Sequence, residues 1–161
     1  MLVIADTSPL FALLKIDHVD ILPKLYRLVV IPPQVANELA SPKRPAEVRA
    51  FIARPPDWLS IRTPSNMEII QGLDLGECAA INLARELKAD LLLIDEIKGR
   101  EAAAAWHIPV ARTAAVMFDA ANAGVLPDLE AAFDKLKATN FRVPPGILDD
   151  LLREHRRIKG N

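Results

Sequence analysis

Short apolar runs alternate with helical patterns along this chain, and that alternation leaves few folds open. The clearest runs are Leu2-Val3-Ile4-Ala5, Leu28-Val29-Val30-Ile31 and Leu91-Leu92-Leu93-Ile94. Leu59-Ser60-Ile61-Arg62 and Ile108-Pro109-Val110-Ala111 are weaker ones. Brief β-branched or apolar runs bounded by turn formers read as strands, and unbroken ones as strands buried on both faces. Helical patterns fill the gaps. Gly76 to Lys88 is alanine-rich, with apolar positions at Ala80, Ile81, Leu83, Ala84 and Leu87. Pro33 opens a helix carrying Val35, Ala36, Leu39 and Ala40, and Thr7-Ser8-Pro9 reads as a helix start with a hydroxyl cap and an early proline. Further helices are predicted near 17–26, 45–53, 98–106, 113–123, 128–137 and 144–157. Strands separated by helices need crossover connections. The prediction is therefore a three-layer α/β fold: a parallel sheet of four to five strands flanked by helices, with Leu59 to Arg62 at an edge. Right-handed crossovers gather the strand carboxyl ends at one rim, and ligands bind there where strand order reverses.

The 161 residues, 51% of them hydrophobic, suit a single domain over 1–161 with a C-terminal helical segment at about 140–158. No repeat or linker divides it. The formal charge is -1, from 20 basic and 21 acidic residues, so any nucleic-acid surface must be local. Lys43-Arg44 and Arg153 to Lys159 are the best phosphate-contact candidates, although such groups are ordinarily solvated faces. The single cysteine, Cys78, excludes a disulfide framework and a cysteine-rich metal site, and reads as a small buried helix residue. The start has no basic region and meets a charge at Asp6, which argues against a signal peptide or membrane span and for the cytoplasm.

Two of the apolar runs end in a carboxylate, Asp6 and Asp95. Such a group is costly to desolvate unless something compensates it. Two more acids, Glu38 and Glu77, lie on adjacent helices, and one compensation that all four can share is a divalent cation. Each has a plainer reading. Asp6 could cap the next helix, and Asp74-Leu75-Gly76-Glu77 resembles a capping box. Glu38 could be an exposed helix acid, with Asn37 as easily the outward residue. Thr7 or Ser8 could hydrogen-bond a ligand carboxylate, and Arg100, a helical turn past Asp95, could hold a phosphate or orient a carboxylate. Oxygen-only ligands favour magnesium or manganese over zinc. The histidines His18, His107 and His155 have no ligand spacing, and no glycine-rich phosphate loop or Gly-x-Ser-x-Gly elbow is present.

The set Asp6-Thr7-Ser8, Val35-Ala36-Asn37-Glu38-Leu39, Leu73-Asp74-Leu75-Gly76-Glu77 and Leu93-Ile94-Asp95 resembles the PIN domain. The stretches Asp95 to Arg100 and Asn140-Phe141-Arg142-Val143 are similar to later signatures of its small bacterial and archaeal group. The resemblance implies a parallel sheet flanked by helices and an acidic site of Asp6, Glu38, Glu77 and Asp95. It implies Mg²⁺ or Mn²⁺ at that site and endonucleolytic cleavage of single-stranded or structured RNA. It also implies a homodimer, and the toxin role beside an antitoxin protein. The chain departs from the pattern at Glu77, where aspartate is commoner, and at Ile94, where many members place a polar residue.

Two other metal-dependent α/β classes fit less well. A phosphatase of haloacid-dehalogenase type needs a second aspartate two residues after the first, where Ser8 stands. A phosphoreceiver domain has paired acids after its first strand and a late lysine, and Ala5-Asp6 and Ala111-Arg112 supply neither. The alternative of another class is a binding module on the same fold, without catalysis.

Overall fold

A computed structural model describes residues 1–160. Its strands are β1 (Val3–Ala5), β2 (Val29–Ile31), β3 (Leu59–Ile61), β4 (Leu91–Leu93) and β5 (Val110–Ala111). The helices are α1 (Thr7–Lys15), α2 (Ile21–Tyr26), α3 (Pro33–Leu39), α4 (Ala46–Ala53), α5 (Leu75–Glu86), α6 (Ile97–Ala105), α7 (Thr113–Asn122), α8 (Leu129–Lys137) and α9 (Ile147–Ile158). The five strands form one sheet in the order β3-β2-β1-β4-β5, and every pair is parallel. Strand order runs outward from β1 to β3, then jumps back across β1 to β4. The reversal point lies between β1 and β4, the two strands that end in aspartate. The weak run at Leu59 is an edge strand, as its alternating pattern predicts.

The pleat sorts the strand residues into two cores. Val3, Ala5, Val29, Ile31 and Leu93 face a large cluster under α1 to α4 and α7 to α9. Ile4, Val30, Leu92 and Ile94 face a smaller one under α5 and α6. Both faces of β1, β2 and β4 are covered, which is why those runs are apolar without interruption. Cys78 is fully buried in α5, as expected.

Two helices begin later than their patterns suggest. The segment predicted from Asp17 becomes α2 only at Ile21, because Asp17 adopts a left-handed φ of 60° that breaks the helical path. The C-terminal helix starts at Ile147 rather than Pro144, because Gly146 before it takes a φ of 84°. On α9 and its neighbour, Arg153 pairs with Asp150, Arg156 with Glu130 and Arg157 with Glu154. Exposed pairs of this kind add little stability. They do neutralise most of the basic run at 153–159.

Gly99 sets the distance between α6 and the sheet. A Cβ there would lie 2.5 Å from Ile94 Cδ1, and Ile94 is fully buried. Alanine is favoured over glycine in a helix by about 1 kcal/mol, but overpacking a tight core typically costs about 1–3 kcal/mol. Gly99→Ala is expected to lower the urea midpoint. An unchanged or raised midpoint would show that Ile94 yields freely.

Candidate metal centre

Asp6 sits where α1 begins, yet it does not cap it. No side-chain capping bond forms, and the third helical residue is Pro9, which has no N–H to offer. The side chain is 4% exposed, and its Oδ1 has no hydrogen-bond partner. Burial pushes its pKa from 3.8 to about 8, against a lowering by the Thr7 amide; the nearby carboxylates of Glu77, Asp74 and Glu38 push it further the same way.

Glu77 fulfils the capping reading and leaves half of itself over. Its Oε1 accepts from the Asp74 amide at 3.0 Å, and Asp74 Oδ1 accepts from the Glu77 amide at 2.8 Å. Its Oε2 is buried without a partner. Burial raises the Glu77 pKa to about 7, with Asp74 and Glu96 adding charge repulsion.

Glu38 turns inward while Asn37 faces solvent. The Thr7 hydroxyl, expected as a helix cap, instead donates to Glu38 Oε2 at 2.5 Å. Gly76, the second residue of α5, packs directly on that carboxylate, and a Cβ there would overlap it. Arg44 donates from Nε to the Glu38 backbone carbonyl at 3.3 Å, so it closes the end of α3 rather than standing free.

Asp95 shares the rim but starts in the other direction. Ala5 pairs with Leu93 and the Asp6 amide donates to the Leu93 carbonyl at 2.9 Å, so Asp95 lies one residue out of phase with Asp6. The pleat therefore sends Asp6 toward α5 and Asp95 toward α7. There the Thr113 amide donates to Asp95 Oδ1 at 2.8 Å and the Thr113 hydroxyl to Oδ2 at 2.7 Å. Burial raises the Asp95 pKa, opposed by the Thr113 bonds and the positive charges of Arg112 and Arg100. Arg100 is itself partly buried with an unpartnered Nε, and burial together with Arg112 lowers its pKa.

The structure thus brings Glu38, Glu77 and Asp74 around Asp6, whereas Asp95 turns from them to Thr113, with the charges of Arg112 and Arg100 near it. Sequence reasoning treated Asp74 only as a cap and missed Thr113 and Arg112. Thr113 had one usable signal, a hydroxyl residue opening a helix directly after β5. Among the described residues, no three His, Cys, Asp or Glu side chains form a ready-made ligating set. A hard cation nevertheless suits this place. Two carboxylate oxygens, Asp6 Oδ1 and Glu77 Oε2, are buried without any donor, and the other groups nearby are also oxygens.

These features define a parallel α/β domain with carboxylates gathered where strand order reverses. Residues 2–157 match a family model described as a PIN domain, and the chain belongs to the PIN domain family. Among solved structures, it is similar to a PilT N-terminus domain protein, SSO1118, from the hyperthermophilic archaeon Sulfolobus solfataricus P2. That likeness has a TM-score of 0.55 at 19% identity and covers 72% of this chain and 90% of the other, so the two share a fold. Comparison with curated proteins gave no match.

The raised pKa values set a pH dependence. From about pH 4 to about pH 8 the unfolded chain has released the Asp6 proton while the folded chain keeps it. Folding then binds a proton, so stability falls as pH rises through that window. In EDTA, the melting temperature is expected to drop between about pH 5 and 8 in wild type and to vary less in Asp6→Asn. Parallel profiles for the two proteins would show that Asp6 is not the group responsible.

Proposed function

We propose that this chain is a Mg²⁺- or Mn²⁺-dependent endoribonuclease that hydrolyses phosphodiesters of single-stranded or structured RNA. The observation that carries this reading is the pair of buried, donorless carboxylate oxygens, Asp6 Oδ1 and Glu77 Oε2, at the point where strand order reverses. Family membership supports the choice of phosphodiester chemistry.

Asp6 and Glu77 would hold the cation, each with one oxygen that nothing else uses. Glu38 would join them, its carboxylate oriented by the Thr7 hydroxyl. Asp95 would complete the site from the α7 side. Its two hydrogen bonds to Thr113 leave each oxygen a further lone pair, so that orientation and ligation are compatible. A divalent cation so bound supplies charge stabilisation at the phosphoryl group and a nucleophile at neutral pH. It would also offset the burial, and the lesser charge repulsion, that keep Asp6 and Glu77 protonated. Ser8 and Arg100 flank the acids, and Arg100 brings a guanidinium suited to a phosphate.

On the same reading the chain acts as the toxin of a toxin–antitoxin pair, as a cytoplasmic homodimer. No helix among the described residues is long and apolar enough to cross a membrane. A small DNA-binding antitoxin gene beside this one would support the toxin role. A second reading, a binding module without turnover, draws on Asp95, whose oxygens are both already engaged by Thr113. Calorimetry separates the two: no uptake of Mg²⁺ or Mn²⁺ favours the binding module.

Cleavage assays with Mn²⁺ should rank the residues. Thr7→Val is expected to lose about tenfold to a hundredfold, as supporting partners of metal ligands do. Asp6→Asn, Glu77→Gln and Asp95→Asn should each lose more. Equal cleavage by all four and wild type would reject the assignment. Gly76→Ala should keep its melting temperature, because the obstructing atoms are the mobile end of Glu38, yet bind Mn²⁺ more weakly as that carboxylate is pushed aside. Unchanged Mn²⁺ affinity would remove Glu38 from the ligand set.

A further inference from the structure

A groove of about 1090 Å³ opens beside the acids. That is at the upper end of ordinary ligand pockets, roughly 300–1,000 Å³. Ser8, Asp95 and Glu96 line one part of it, so it meets the proposed metal centre on its Asp95 side. The remainder carries Lys15, Lys43, Lys135 and Arg142, with Asp17 the one further acid, and two aromatic rings, Phe11 and Phe141.

We propose that this groove seats a single-stranded RNA segment. Lys43, Lys135 and Arg142 would hold its phosphates, and Phe141 would offer ring surface to a base, while Phe11, with Arg44 over its ring, would form an apolar wall. The proposal rests on the nuclease reading for its polymer. It adds the path by which that polymer reaches the acids.

Three observations support the commitment. First, three of the groove's four cations are unspent. Among the described residues Lys43, Lys135 and Arg142 enter no ion pair, and Lys15 meets Glu47 only at 3.8 Å, whereas the arginines of α9 at 153, 156 and 157 are all paired. The chain's overall charge of -1 hides this local excess. Second, cations interleaved with aromatic rings are what sequence-tolerant single-strand binding needs, because every base has a face to stack. Third, the rings are held in place. The Thr139 hydroxyl donates to the Leu136 carbonyl at 2.7 Å and accepts from the Phe141 amide at 3.1 Å, which fixes the segment after α8. On the other wall, the Arg44 guanidinium lies 4.5 Å from the Phe11 ring centroid, and the same Arg44 bonds the Glu38 carbonyl. One wall of the groove is therefore tied to a helix that carries a site acid.

The test is fluorescence anisotropy with a labelled, unstructured RNA of about 12 nucleotides and the full chain in EDTA, where binding is read without cleavage. Lys135→Ala and Arg142→Ala should each weaken binding several-fold and reduce the salt dependence by about 0.7 per lost phosphate contact. Phe141→Ala should weaken it about tenfold, with Phe141→Trp restoring it. Asp6→Asn should bind at least as well as wild type. A blunt duplex of the same sequence should bind more weakly. Circular dichroism checks folding, and the exposed Lys135 and Arg142 carry the test if Phe141→Ala unfolds. Wild-type RNA affinity in the groove variants would overturn the proposal, as would equal affinity for the duplex. So would variants that shift a monomer–dimer equilibrium in sedimentation while leaving RNA affinity alone, because a second copy would then own the groove. The two readings fail separately. Groove-dependent binding without Mn²⁺-dependent cleavage by wild type would reject the nuclease and keep the groove. Cleavage with binding indifferent to the groove would do the reverse.

Discussion

The burial of one carboxylate at the end of the central strand organises everything around it. Asp6 follows three fully buried residues, lies beside a helix start whose third residue is a proline, and has acids from two other helices for neighbours. Each of these features withholds compensation from the charge. A site built to be comfortable would have added a guanidinium or further donors to the single Thr7 amide there. Asp95, at the end of the adjacent strand, shows the contrast, with two Thr113 donors and two arginines in reach. Two aspartates with the same sequence signature thus have opposite electrostatic surroundings. The difference comes from a single residue of phase between neighbouring strands.

That phase explains how far the sequence could be read. The layers, the parallel sheet and the edge position of Leu59 to Ile61 follow from period and composition, and they stand in the structure as predicted. The convergence of Asp6 with Glu38 and Glu77 was legible as motif order, and the fold supplies the proximity. Strand register was not legible, because Leu91 to Ile94 is apolar throughout and no alternation shows which residues face which layer. The dual use of Glu77 was also hidden. Capping and site readings competed for one residue on paper, and a carboxylate has two oxygens to divide between them. Long-range partners such as Thr113 for Asp95 and Arg44 for Phe11 leave almost no trace in the sequence, since they depend on how helices settle after the sheet forms.

Charge makes the same point at the scale of the surface. Both basic stretches that drew attention in the sequence are spent internally in large part: α9 on neighbouring acids, Arg44 on a helix end and a ring. The groove's unpaired cations, Lys43, Lys135 and Arg142, come from distant parts of the chain and become a set only where α1, the loop after α3 and the end of α8 line one groove. Of the two basic stretches in the sequence, only Lys43 contributes to the cluster in space.

Arg44 has a consequence of its own. One guanidinium spans a carbonyl on the helix bearing Glu38 and the aromatic face of Phe11, so it acts as a tie-rod between two regions that could otherwise shift separately. Its grip depends on a flat, forked head that bonds through its edge while stacking through its face. Lysine has the same charge and no such shape. The demand at this position is therefore for geometry more than for charge, and losing the fork would loosen Glu38 from a distance without altering the acid itself.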